Sequence, residues 1–187
     1  VAAYLVLADP FAGPLPGGWA KHPDPKLGVT VAAPAGYREI RPAKDDSDQN
    51  WVIYEDWSGG VRIRLDLARK AQDSLNEIKN SARSQMYADD EKFRGDGDYT
   101  LDMPGHARTR PDDTATYHGR EAAENTVDFT TSDSQDPRPR ELQIFYYRTS
   151  AGDLYKLTVG YPGKGDFTAR GRDVARAAIA NLDIKRL

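Results

Sequence analysis

His22, His106 and His118 are the only imidazoles in the sequence, so a metal or acid–base site built on histidine would have to use them. With Asp112 and Asp113 they would offer nitrogen and oxygen donors, but the spacing matches no compact ligand set. His118-Gly119-Arg120-Glu121 opens like an inverted zinc-protease motif and fails at Ala122, where a second histidine is required. Asp46, Asp48 and Asn50 have the alternate spacing that opens a calcium loop. Trp51 then takes the position that needs glycine, and Trp57 that of the closing bidentate glutamate. Gly163-Lys164-Gly165 stands before a helix, where a phosphate can bind. The nucleotide-loop pattern is nevertheless unmet, since no glycine lies five residues before Gly163 and no Ser or Thr follows Lys164. No serine sits in a nucleophile elbow and no His-Arg-Asp occurs, while Asp128-Phe129 and Asp166-Phe167 are both followed by threonine. The expectation is a segment with no catalytic residues, no metal and no cofactor.

Binding has better material. Trp51, Trp57, Tyr146, Tyr147, Tyr155 and Tyr161 combine apolar area with a polar tip, the chemistry of a ligand floor and equally of a core. Met103 to Thr116 carries two prolines and no hydrophobic period, so it reads as a long loop. Its His106, Arg108 and Arg110 are suited to an anionic or carbohydrate ligand, with Asp112 and Asp113 as neutralising neighbours. The candidate ligand site is therefore Trp51, Trp57, Tyr146 and Tyr155 beneath His106, Arg108 and Arg110. The competing reading is a solvated loop over core tyrosines.

The elements that must position these residues follow from pattern. The chain has 187 residues, 39% apolar and 29% charged, enough for one domain with a substantial core. Its 26 basic and 29 acidic residues leave a net charge of −3, with no basic field to concentrate a nucleic acid. Cysteine is absent, which removes disulfides and thiolate chemistry. The apolar run Val1 to Ala8 is far short of the roughly 20 residues that span a bilayer. Ala8 to Gly18 is rich in proline and glycine and reads as a tether, so residues 1–18 are assigned as linker and 19–187 as the domain.

Leu27, Val29 and Val31 alternate in a first strand closed by the Pro34–Tyr37 turn, and Arg38 to Asp48 reads as a charged loop. Trp51 to Trp57 and Val61 to Leu67 pair through Ser58-Gly59-Gly60. The period then changes. Ser74 with Glu77 three residues on is a capping box, and Leu75, Ile78, Ala82 and Met86 recur at helical steps up to about Phe93, ahead of Gly95 and Gly97. Asp89, Asp90 and Glu91, late in that helix, are expected in solvent. Gly119 to Thr130 is a further strand. Leu142 to Pro162 holds two more, joined through Ser150–Asp153, with large apolar groups on both faces and hence cover expected on both. Asp166 is expected to cap a last helix, to Leu182, with Phe167, Val174, Ala178 and Leu182 on its buried face. Strand, strand, strand, helix, three strands, helix predicts an α+β sandwich with a mainly antiparallel sheet.

Gly18 to Tyr37, GWAKHPDPKLGVTVAAPAGY, resembles the opening of extracellular domains of actinobacterial membrane-anchored serine/threonine kinases. The shared features are Trp19 near Asp24-Pro25, Gly28 before an apolar strand, Pro34, and an aromatic after Gly36. The resemblance continues through Tyr117-His118-Gly119-Arg120-Glu121-Ala122-Ala123, Tyr146, Tyr155 and the final helix. It implies a PsbP-like α/β/α sandwich, seen also in some mycobacterial lipoproteins, with two main helices. It further implies a non-catalytic sensor outside the cytoplasm, tethered to the membrane through an upstream anchor, with the kinase domain elsewhere in a longer polypeptide. A small molecule, a cell-wall fragment or a protein is the expected partner. The long Met103–Thr116 loop departs from the resemblance. Two alternatives stand beside it: a secreted lipoprotein-like binding protein, and a small hydrolase in which His106 or His118 would converge with Asp112, Asp113 or Glu121.

Overall fold

The middle of the molecule is the hairpin expected at Leu142–Pro162. In the computed structural model, which describes residues 15–72, 78–133 and 135–187, the strands are β1 (Trp19–Asp24), β2 (Val29–Pro34), β3 (Arg38–Ile40), β4 (Trp51–Glu55), β5 (Arg62–Ala68), β6 (Gly97–Asp98), β7 (Met103–Pro104), β8 (Arg108–Asp112), β9 (Thr116–Tyr117), β10 (Arg120–Glu121), β11 (Ala123–Thr130), β12 (Pro139–Arg148), β13 (Leu154–Pro162) and β14 (Asp183–Ile184). The helices are α1 (Ala82–Arg94) and α2 (Asp166–Ala180). Seven strands form one sheet in the order β3-β4-β5-β13-β12-β11-β8, each paired antiparallel to its neighbour. A second sheet, β1-β2-β14, packs on one side of it.

Successive side chains of a strand point to opposite faces. Phe145 and Tyr147 of β12 therefore join Tyr155, Leu157, Val159 and Tyr161 of β13 and Ile63 and Leu65 of β5 against β2 and α2. Leu142, Ile144 and Tyr146 emerge on the other face, where Ala82, Met86 and Phe93 of α1 cover them with Val127 of β11. This is an α+β sandwich. The helical spacing of Ala82, Met86, Asp90 and Phe93 puts all four on the buried side of α1. On α2 the small Gly171 and Ala175 let the helix backbone approach the sheet, so a Cβ at Gly171 would lie 2.3 Å from Cγ of Tyr161.

Several local expectations are corrected. The apolar start Val1–Ala8, the tether as far as Pro14, and Ser74, Leu75 and Glu77 lie outside the described residues. Within them α1 starts at Ala82, because Ser81 in extended conformation accepts the Ser84 N–H at 3.0 Å; Ile78 precedes the helix. Arg38–Ile40, read as loop, is edge strand β3, and Trp19–Asp24 adds β1, which had no alternating apolar run to announce it. Met103–Thr116 is no plain loop. Its Arg108–Asp112 is edge strand β8, hydrogen-bonded along β11, polar in sequence because an edge strand outside the cores is not required to be apolar. Asp90, expected in solvent, is buried, taking Nδ2 of Asn125 at 3.0 Å and Nε of Arg94 at 2.8 Å. Asp89 accepts the Tyr146 hydroxyl at 2.8 Å and Nζ of Lys156 at 2.9 Å, which pins α1 to the sheet. At α2 the cap position is Gly165, with φ +92°, and Asp166 lies in the first turn, where its charge still favours the helix dipole. Phe167 is exposed, since that first turn overhangs the end of β13.

One buried carboxylate fixes α2. Glu141 of β12 receives Nε and Nη2 of Arg172 at 2.8 and 3.0 Å and the Tyr161 hydroxyl at 2.6 Å. The hydrogen bond from Arg172, helped by that from Tyr161 and opposed by burial, holds the Glu141 carboxyl at about 2 instead of 4.5. Asp128 alongside moves upward, through burial and then through Glu141. A depressed folded value means that the Glu141 interaction stabilises above pH 4.5 and is lost as pH falls toward 2. Urea denaturation at pH 5 and pH 3 should therefore show a smaller loss of stability for Glu141→Gln than for the wild type; equal losses would remove this account. Gly171→Ala should lower stability by about 2 kcal/mol, because overpacking against Tyr161 exceeds the roughly 1 kcal/mol by which alanine is the better helix former. A melting temperature raised by that substitution would contradict the packing described.

Candidate functional site

The β4–β5 turn is built by Asp56. Its backbone N–H bonds to the Val61 carbonyl at 3.1 Å, its carbonyl accepts the Gly59 N–H at 3.0 Å, and its carboxylate accepts the Ser58 hydroxyl. Gly59 at φ +72° supplies the left-handed residue that closes the turn. This frame holds Trp57 outward, 93% exposed, a cost in apolar hydration that folding alone does not demand. Phe167 on the overhanging first turn of α2 is 61% exposed nearby, its ring 5.8 Å from the Arg170 guanidinium.

Trp57 and Phe167 face one cleft of about 860 Å³, walled by Trp19, Tyr37, Val61 and Val174. Its volume falls in the range of ligand sites, roughly 300–1,000 Å³. The Tyr37 hydroxyl is pushed up to about 12, by burial first and by the Asp56 charge next, with Arg170 opposing. Tyr37 thus stays protonated at physiological pH and offers a hydroxyl donor on a mostly apolar wall that also carries Asp56, Ser58 and Arg170. The site can hold an apolar group and anchor one acceptor beside it.

The seven residues singled out from sequence are dispersed. Trp51 sits on β4 with the Arg64 guanidinium 4.8 Å from its ring. Trp57 alone of them enters the cleft. Tyr146 is buried under α1, and Tyr155 on the opposite face donates to the Leu27 carbonyl. His106 is exposed at φ +65°, Arg108 is exposed on β8, and Arg110 gives its Nη1 to Asp128 at 2.8 Å. Trp51 and β8 lie five strands apart, roughly 24 Å at the usual strand spacing. The groups of the hydrolase reading do not converge either. Asp113 takes the Tyr87 hydroxyl at 2.8 Å, Asp112 takes Thr114, Glu121 faces Arg83 at 3.9 Å, and the His118 ring lies against Tyr117. Among the described residues no three His, Asp or Glu side chains group so as to hold a metal. Trp19, Tyr37 and Phe167 were missed as site residues because the β1–β2 pairing and the overhang of α2 bring them to Trp57, and neither is a local pattern.

No protein-family model matches the sequence, and no curated protein matches it. The structure is similar to that of a protein from Bacteroides thetaiotaomicron, with TM-score 0.52 and 10% identity over 89% of this chain and 48% of that one. The chain spans about half the length of that protein. It is similar also to cyanobacterial PsbP from Synechocystis (TM-score 0.50, 12% identity, 92% of this chain and 98% of that one). The Ran-binding protein Mog1p of Saccharomyces cerevisiae gives TM-score 0.56 and 9% identity, over 90% and 96%. At such identities the likeness is one of fold, and it is the PsbP-like α+β fold expected from the sequence. Among the described residues no helix is long and apolar enough to cross a membrane.

Since Trp57 and Phe167 make little of the core, Trp57→Ala and Phe167→Ala should each change stability by no more than about 0.5 kcal/mol. Thermal melts check this. A loss of several degrees for Trp57→Ala would show a ring that helps hold the fold together, contrary to its exposure.

Proposed function

We propose that this chain is a non-catalytic binding domain, the extracytoplasmic sensor of a membrane-anchored serine/threonine protein kinase, and that its Trp57–Phe167 cleft seats an apolar side chain of a partner protein. The cleft carries the reading. An apolar hollow with an exposed tryptophan at its lip and a phenolic donor in its wall has the composition of a protein-binding hot spot, where an aromatic anchor contributes most of the affinity. The Tyr37 hydroxyl would fix the orientation of a backbone carbonyl. Mog1p, of similar fold, is by name a Ran-binding protein, so this scaffold is compatible with a protein partner. Support for the cellular setting is the resemblance of Gly18–Tyr37 to kinase extracellular domains.

The two halves are tested separately. The chain has no cysteine, so Lys44→Cys introduces a single thiol on the exposed connection between β3 and β4. A membrane-impermeant maleimide should label it in intact cells; labelling only after lysis would refute the extracytoplasmic setting. For the cleft, a photo-crosslinking residue at position 57 should yield one discrete protein adduct that position 176, exposed on α2, does not. The purified partner should then bind Trp57→Ala at least tenfold more weakly than the wild type. Equal affinity would remove the cleft from the function.

A further inference from the structure

A second hollow, of about 570 Å³, lies on the other side of the β4–β5 turn, on the face that carries α1. Here α1 packs on β11 and β12, while among the described residues no helix packs extensively on β4 or β5 on this face. The exposed-face residues of β5 are charged, and Arg62 and Arg64 line the hollow with Arg138 and Arg140. Three of these four have a carboxylate partner, although Arg62 shares Glu55 with Arg38. Arg62 gives Nε and Nη2 to Glu55 at 3.0 and 2.8 Å, Arg64 gives Nε to Asp66 at 2.8 Å, and Arg138 pairs with Asp136.

Arg140 differs. Its Nη1 donates to the Gly60 carbonyl at 2.8 Å, and among the described residues no carboxylate lies within ion-pair distance of it. It is partly buried, and that burial together with the charges of Arg62 and Arg138 lowers its pKa, with Asp56 opposing; its positive charge is thus incompletely compensated. The floor beneath it is Gly160, directly between Arg62 and Leu142 in register; a Cβ there would come within 3.0 Å of Leu142 and 3.4 Å of Nη2 of Arg140. The missing side chain leaves the guanidinium room to lie across the sheet. Leu101, Phe129 and Leu142 form an apolar wall, and Asp102, Asp133 and Asp136 stand along the rim.

We propose that this hollow binds a small organic anion, its oxyanion head on the Arg140 guanidinium and its apolar body against Phe129 and Leu142. The argument is charge and shape together. An Arg fork matches the two oxygens of a carboxylate or phosphate, and a partly desolvated cation without a carboxylate partner gains most from receiving one. The volume is far larger than an inorganic ion needs, and the apolar wall rewards a body attached to it. The acidic rim disfavours polyanions such as a nucleic acid strand more than a small anion with a single oxyanion head. This site is independent of the partner cleft, although Ser58 and Gly60 border both.

Phenyl phosphate, benzoate and inorganic phosphate distinguish the sources of such a head, and each is titrated by calorimetry at low salt. Binding of either aryl anion at least tenfold tighter than inorganic phosphate is expected, weakening as salt rises. The side-chain Nε–H resonance of Arg140, followed in the wild type, should shift on titration and saturate with the same Kd. Arg140→Ala should weaken binding at least tenfold, and Gly160→Ala should weaken it by crowding the floor. Arg176→Ala, on exposed α2, should leave it unchanged. No binding of either aryl anion at millimolar concentration, an unmoved Arg140 resonance, or equal affinity of Arg140→Ala in a variant with a wild-type melting curve would each overturn the proposal.

Discussion

The structure depends on one constraint, that both faces of the β12–β13 hairpin are apolar. Tyr146 and Tyr147 are adjacent in sequence, both buried, and necessarily on opposite faces. Leaving either face in water would expose large aromatic area at roughly 25 cal/mol per Å². Cover is therefore required twice: α1 lies over one face, α2 and the β1-β2-β14 sheet over the other. Everything else in the architecture is arranged at increasing distance from that doubly covered centre.

Tyrosine suits such a centre because each ring fills core volume while its hydroxyl reaches the boundary of its layer. Tyr117 donates to the Leu182 carbonyl at 2.7 Å, Tyr147 to the Leu187 carbonyl at 2.9 Å, Tyr155 to the Leu27 carbonyl, and Tyr161 to Glu141 at 2.6 Å. Three of these four bonds end on backbone carbonyls of the chain segments that close the second layer. The tyrosines thus set the spacing between layers as well as filling it, and a phenylalanine at position 117 or 155 would take a hydroxyl donor from the Leu182 or Leu27 carbonyl.

Cover runs out away from the centre, and the candidate sites lie where it does. On one side the overhanging first turn of α2 and the stiff β4–β5 turn leave Trp57 and Phe167 around an apolar cleft. On the other, α1 stops short of β5, and the arginines of β5 and β12 line an open hollow. The β4–β5 turn stands between them, its Gly60 carbonyl held by Arg140 and its Trp57 held out by Asp56. Both hollows lie at the margins of the core, which is the physical ground for proposing them as ligand and partner sites.

How much of this the sequence determined can be read element by element. Alternation in Leu142–Pro162, the Ser58-Gly59-Gly60 turn and the helical spacing from Ala82 onward are local signals, and the corresponding strands, turn and helices appear, with the α+β class that follows from their order. Edge strands β1, β3 and β8 were not legible, because a strand paired on one side and facing water needs no apolar alternation. The burial of Asp90 was equally hidden, since a carboxylate can be sequestered only where distant groups such as Asn125 and the sheet beneath α1 meet it. The candidate site divides the same way. Trp57, Tyr146 and Tyr155 were all marked by residue type, but which face of a doubly covered sheet buries the Tyr146 and Tyr155 rings is no local pattern. Trp19, Tyr37, Phe167 and Arg140 acquire their positions from strand pairing and helix overhang between residues far apart in the chain. Short-range periodicity specifies what each segment becomes; only the packing of the segments decides which side chains the solvent, and hence a ligand, can reach.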